Sequence, residues 1–338
     1  MTENPTSNIF IHQSFNDFDL YQEIALNWQL DFKKLNRGKF NADISLINIG
    51  EVQIGRTAID GTVQQQGLTP VGHRTFVIPV DNNQSFKWLN RNVNSRNLLV
   101  FQKDGPLDGI SYDDFNVFTI SIKDEHLDKL INQYKFKNLN KNLTNDEHAY
   151  PIDGNFVLYI GSFLQILLDK LIQNPELIHS PSFVYKLKYR LPLMLLNFLD
   201  RKEMMAIMPM HRKRDVCFQL ALEYINRYFY RKISIKELCK HCSGSERTLE
   251  YAFKERFGIG PKAYVNNIRL NYAYRMIAHG ENKQNVSEIA QELGFTHMGQ
   301  FAADYFKLFE ELPSETMAFK EMRQKNSAQR SDRVLVGI

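Results

Sequence analysis

Between Ser245 and Phe257 the sequence sets two kinds of residue on two sides of one helix. Leu249, Ala252, Phe253 and Phe257 recur at three- and four-residue spacing, with Arg256 on the same side, and make an apolar stripe. Glu246, Arg247, Glu250, Tyr251 and Lys254 occupy the other side, and Ser245 stands where a capping hydroxyl belongs. A helix that buries one stripe and presents Arg, Tyr and Lys near its N-terminus has the chemistry to enter a DNA major groove. Arg247 could read guanine, Glu250 could accept from a cytosine amine, and Lys254 could meet phosphate. For one isolated helix, an ordinary charged surface is the better reading.

Duplication reverses that preference. Leu249, Phe253, Phe257 and Pro261 return as Phe301, Tyr305, Phe309 and Pro313 at a spacing of 52 residues, and Leu238-Cys239 returns as Ile289-Ala290 at 51. Each copy reads as a short helix, a tight turn and a second helix ending before a proline, which is a helix-turn-helix unit. Ser234-Ile235-Lys236-Glu237 and Asn285-Val286-Ser287-Glu288 are capping boxes that start the short helices. Ser243-Gly244 and Gly294 mark the turns, where a left-handed backbone costs glycine least. Lys262–Ala278 is expected to be a linking helix of about 25 Å. That length would hold the two reading helices roughly one DNA turn apart.

The rest of the chain must support these units. With 338 residues, 43% apolar, it is long enough for two domains with real cores. Residues 1–210 hold 21 Lys and Arg against 23 Asp and Glu, whereas residues 211–325 hold 19 against 14. The basic excess therefore lies in the C-terminal third, which begins with the cluster His211-Arg212-Lys213-Arg214. Three cysteines are too few for a disulfide-stapled secreted fold. The first residues lack a signal-peptide pattern, and polar residues interrupt the apolar run Phe156–Ile172. A soluble cytosolic protein is expected.

Ahead of the helical third, Asp43–Ile49, Glu51–Ile54, His73–Val80, Asn97–Gln102 and Phe115–Lys123 read as strands of a small antiparallel barrel or sandwich. Asp17–Trp28, Asp124–Tyr134, Asn155–Gln173 and Pro181–Asp200 read as helices, the last bent at Pro192. Its stripe of Val184, Leu187, Leu191, Met194, Leu195 and Phe198 either covers the barrel or faces a second subunit. Phe76, Phe86, Trp88, Phe101, Tyr112, Phe115 and Phe118 are candidates to line an internal cavity. The first 122 residues contain only His12 and His73, without His-x-His, so a metal-dependent enzyme is not expected. Neither a phosphate-binding Gly-rich loop nor a Gly-x-Ser-x-Gly elbow is present. Cys239-Lys240-His241-Cys242 is half a zinc site without a second ligand pair, and reads as buried packing before redox sensing. No catalytic residue, metal or cofactor is expected.

Residues from about Asp215 to Met322 resemble the DNA-binding domain of the AraC/XylS family of bacterial transcription regulators. The matching residues are Ser245-Glu246-Arg247-Thr248-Leu249, Phe253-Lys254, Phe257-Gly258-Ile259-Gly260-Pro261, Arg269-Leu270 with Ala273, Val286–Ala290, Gly294-Phe295, and Phe301 and Phe309 with Pro313. The resemblance implies an α+β chain. A cupin-like antiparallel β-barrel with flanking helices (residues 1–210, barrel about 35–122, helices about 124–200) would precede an all-α domain of two helix-turn-helix units at 211–325, with a tail at 326–338. It implies DNA contacts at Ser245, Glu246, Arg247, Glu250, Tyr251 and Lys254, and in the second copy at Thr296, His297, Met298, Gln300 and Lys307. Ala302, Ala303 and Glu310 depart from the family pattern, so the second unit is expected to grip backbone more than read bases. Arg269 is read as a structural ion-pair former. The implied partners are operator or promoter DNA, a second copy of the chain, a small effector, and RNA polymerase for an activator. The alternative is a front domain that binds a partner protein; a cupin-type enzyme ranks last.

Overall fold

The computed structural model describes residues 8–16, 29–37, 40–80, 85–88, 91–94, 97–101, 103–136, 139, 148–151, 154–200, 213–280 and 284–320. The expected helix at Asp17–Trp28 and the tail at 326–338 lie outside them. Two units divide the chain: Met1–Phe32 with Phe40–Met210, and Lys33–Lys39 with His211–Ile338.

The first unit is built from two antiparallel sheets. The larger has the order β1 (Ile9–Phe15), β3 (Asn41–Asn48), β4 (Val52–Asp60), β11 (Phe115–Lys123), β6 (His73–Pro79), β9 (Asn97–Val100) and β12 (His148–Pro151). The smaller runs β2 (Gln29–Lys34), β5 (Val63–Leu68), β10 (Pro106–Ser111), β7 (Ser85–Trp88) and β8 (Arg91–Asn94). The sheets thus begin before residue 35 and end beyond 122. Strand alternation assigns their faces. Ile54, Phe76, Phe118 and Ile120 point from the larger sheet into a core shared with helices. Val77, Leu99 and Val117 point the other way, to Phe86, Trp88 and Val93 of the smaller sheet. Phe76 and Phe118 therefore do not border the space between the sheets, nor does Tyr112, while Phe86, Trp88, Phe101 and Phe115 do.

Helices α1 (Asp124–Tyr134) and α2 (Gly154–Gln173) follow the expected ranges closely. Pro181–Asp200 is not one bent α-helix: α3 (Pro181–Tyr185) and α4 (Leu191–Leu199) flank a wider π-turn at Lys186–Arg190. Pro192 has no N–H to offer the Lys188 carbonyl four residues earlier. His126 Nε2 on α1 donates to that oxygen instead, at 2.7 Å. The apolar stripe of this segment packs into the core of its own unit, with Leu187, Leu191 and Leu195 fully buried, so it covers the sheet and is not left for a second subunit.

In the second unit the helices are α5 (Lys213–Tyr228), α6 (Ile235–His241), α7 (Glu246–Phe257), α8 (Pro261–His279), α9 (Val286–Glu292) and α10 (Met298–Phe309), followed by a helix at residues 313–320. Pro261 starts α8, where its missing N–H costs nothing. A short segment from far upstream completes this unit. The Asn271 side chain on α8, with no exposed surface, accepts from Lys34 N at 2.8 Å and donates to Lys34 O at 3.0 Å. One turn away, Asn267 donates to the Leu35 carbonyl at 2.9 Å.

Candidate nucleic-acid interface

Both short helices start as their capping boxes predict. Ser234 Oγ accepts from Glu237 N and Asn285 Oδ1 from Glu288 N, with each Glu reaching back to the cap N–H. Glu237 also holds Arg231 at 2.6 Å and the Tyr224 hydroxyl, and these two bonds pull its carboxyl down to about 2. The turn that follows differs from expectation. Ser243, not Gly244, takes the left-handed backbone (φ 51°). Gly244 is needed for contact: a Cβ there would lie 2.3 Å from Cys217 Sγ and 3.2 Å from Cys242 Sγ. Cys217 and Cys242 touch inside the core, and burial pushes the Cys217 thiol up to about 12. In the second copy Gly294 does take the left-handed backbone (φ 79°).

Ser245 Oγ caps α7 through Thr248 N at 3.1 Å. Below the cap, Leu249, Ala252, Phe253 and Phe257 are buried. Arg256 is buried with them, pairing with Asp215 of α5 and lying 4.0 Å over the Phe218 ring. Sequence reasoning gave Arg256 no role, although it was the one charge on an apolar stripe. Burial lowers its pKa, and Asp215 opposes the shift.

On the outer side Glu246 and Arg247 are exposed, and Arg247 bonds to no other described residue. Glu250 pairs with Lys254 at 3.1 Å, and its carboxylate fills the space a Cβ on Gly260 would need. Tyr251 is 56% exposed, with the Arg214 guanidinium 4.8 Å from its ring centre and Arg214 held in turn by Glu255 at 2.8 Å. Thus Arg214, in the first turn of α5, is gathered against the outer side of α7.

The second copy is arranged differently. Thr296, His297 and Gln300 are exposed and Met298 is half-buried. Asp304 draws in three groups: Gln300 at 2.8 Å, Asn266 at 3.3 Å and Lys307 at 3.7 Å. Ala303 and Phe306 fill the rest of that exposed side, and Glu310 closes the helix in the left-handed conformation (φ 59°), where the first copy has Gly258 (φ 71°). Arg269 is not an ion-pair former. It donates to the carbonyls of Phe229, at 2.6 Å, and Arg231, where the chain leaves α5 and the backbone ends carry partial negative charge.

The helix-turn-helix domain family matches residues 238–318. The XylDLEGF operon transcriptional activator 2 of Pseudomonas putida is 30% identical over 116 residues, which cover 34% of this chain and 74% of that protein. The chain belongs to the AraC/XylS family. As a member it is a DNA-binding transcription regulator with a helix-turn-helix domain. XylDLEGF operon transcriptional activator 1 of the same organism is 32% identical over 112 residues, 33% of this chain and 34% of that protein, so the match spans about a third of its length. A solved probable AraC family regulator from Rhodopseudomonas palustris is 32% identical, covering 31% of this chain and 96% of that one, with a TM-score of 0.30.

Proposed function

We propose that this AraC/XylS-family chain reads a specific operator chiefly through the N-terminal outer side of α7, with α10 gripping backbone. The exposed, unengaged guanidinium of Arg247 beside the Ser245 cap carries the reading: a guanidinium free to project is what bidentate contact with guanine needs. Glu246, Glu250, Tyr251 and Lys254 would flank it. In the second copy Thr296, His297 and Met298 would meet the groove or its backbone, while Asp304 restrains Gln300 and Lys307 and adds a negative charge unsuited to DNA. The protein would act in the bacterial cytoplasm as a homodimer and, like relatives named as activators, would work with RNA polymerase. Exposed Tyr159 and Ile166 on one side of α2 favour a dimer face there. The front unit would sense the controlling signal.

Selection of random duplexes by the full chain at fixed salt tests this. The expected product is one strongly specified turn containing a guanine lost with Arg247→Ala, flanked by a second, weakly specified turn. Two equally specified turns would overturn the division of labour, and no enrichment over bulk DNA would overturn specific reading altogether.

A further inference from the structure

A cavity of about 90 Å³ lies between the two sheets of the first unit. Val77, Leu99 and Val117 line it from one sheet, Phe86, Trp88 and Leu107 from the other. Gly55 and Gly109 contribute bare backbone to the wall, and a Cβ at Gly55 would come within 2.5 Å of Thr119 Oγ1. Two carboxamides interrupt this apolar lining. Gln53 on β4 and Gln65 on β5 are 8% and 9% exposed, and neither side chain hydrogen-bonds to another described residue. Buried polar groups are almost always paired, and these two border an open space. Ser111 and Thr119, also on the wall, already donate to the carbonyls of Val63 and Gly55. Among the described residues Lys87 is the one charged residue along the wall, but it alternates with Phe86 and Trp88, whose rings point into the apolar cluster, so its side chain leaves the strand on the opposite face.

We infer that this cavity binds a small uncharged ligand with a single-ring apolar body and one hydroxyl or carbonyl group, held by Gln53 and Gln65. The inference rests on reading the front unit as the sensor, and names what it senses. Carboxamides donate and accept, so they suit a neutral oxygen. An ionised ligand would lose its hydration here without meeting a counter-charge. The volume sets one ring as the upper limit for the body, since it is below the roughly 150 Å³ of a dry cavity known to take benzene.

The test is titration of the full chain at pH 7 with phenol, toluene, benzoate and benzylammonium. Binding is followed by saturation-transfer NMR and by the melting temperature, with DNA binding measured on the same preparation. Phenol is expected to bind about tenfold more tightly than toluene, and the two ions not to bind. Gln53→Leu/Gln65→Leu should bring phenol to the level of toluene and leave toluene unchanged. If that pair does not fold, Gln65→Met alone should narrow the gap. Benzoate or benzylammonium binding as well as phenol would overturn the inference, as would equal affinity for phenol and toluene. Absence of binding by all four, with DNA binding intact, would make the cavity a packing void. Phenol binding without DNA binding would keep the inference and remove the regulator.

Discussion

Arg247 and Lys254 carry the same charge on the same helix side but stand in different company. Arg247 bonds to no other described residue, whereas Glu250 already pairs with Lys254. Arg247→Ala is therefore expected to cost about 1–3 kcal/mol at one base pair and relax preference there. Competition against single-base operator variants would measure it, and equal losses on operator and random DNA would refute base reading. Lys254→Ala should weaken all duplexes alike and lower the salt slope by less than one full charge, because Glu250 already offsets part of it. Glu237 gives a pH signature. Its carboxyl falls from 4.5 to about 2 on folding, so its stabilisation is complete above about 4.5 and disappears as pH drops from there to 2. Amide exchange in α6 over that window should show the loss in the wild type and not in Glu237→Gln. The outer residues of α7 were legible because helical spacing alone sorts them. The partners of Arg256 and Arg269 were not, since Asp215 and the Phe229 carbonyl lie about 40 residues upstream with nothing local to announce them.

At the scale of elements, what is coded locally was readable. Capping boxes, an N-terminal proline and a terminal glycine each act within one helical turn, and α6, α7, α8 and α9 begin within a residue of where the sequence puts them. The π-turn at Lys186–Arg190 was half readable: Pro192 announces a lost hydrogen bond, but His126, which takes the freed oxygen, sits on another helix. Of the strands, β3, β4, β6, β9 and β11 were readable from their apolar residues, whereas β1, β2, β5, β7, β8, β10 and β12 were missed. Gly244 was read for its backbone freedom when its value is its size. Gly244→Ala is expected to destabilise the second unit by about 1–3 kcal/mol through overpacking. Adding Cys217→Ala should recover part of that loss in denaturant titrations of a double-mutant cycle, and a purely additive cycle would place the strain elsewhere.

At the scale of the whole chain, the texture changes near residue 211, where the long part of the second unit begins, but it hides an exchange between the two sequences. Lys33–Lys39 belongs with the C-terminal helices, and no composition or periodicity marks a seven-residue loan across most of the chain. Asn271→Ala would remove the side chain that pairs with both the N–H and the C=O of Lys34, at a cost of about 1–3 kcal/mol. The loss should appear as a lower denaturation midpoint of the helical unit, and an unchanged midpoint would show that water takes over both groups. The same clamp has a consequence for biosynthesis. Lys34 precedes Asn271 by 237 residues, so it leaves the ribosome long before its partner exists. The first unit must complete most of its sheets with that strand end still unclaimed, and the last unit cannot close until the emerging α8 retrieves it. Translation therefore imposes an order on this fold, and a C-terminal fragment begun at His211 would be made without the piece that finishes it.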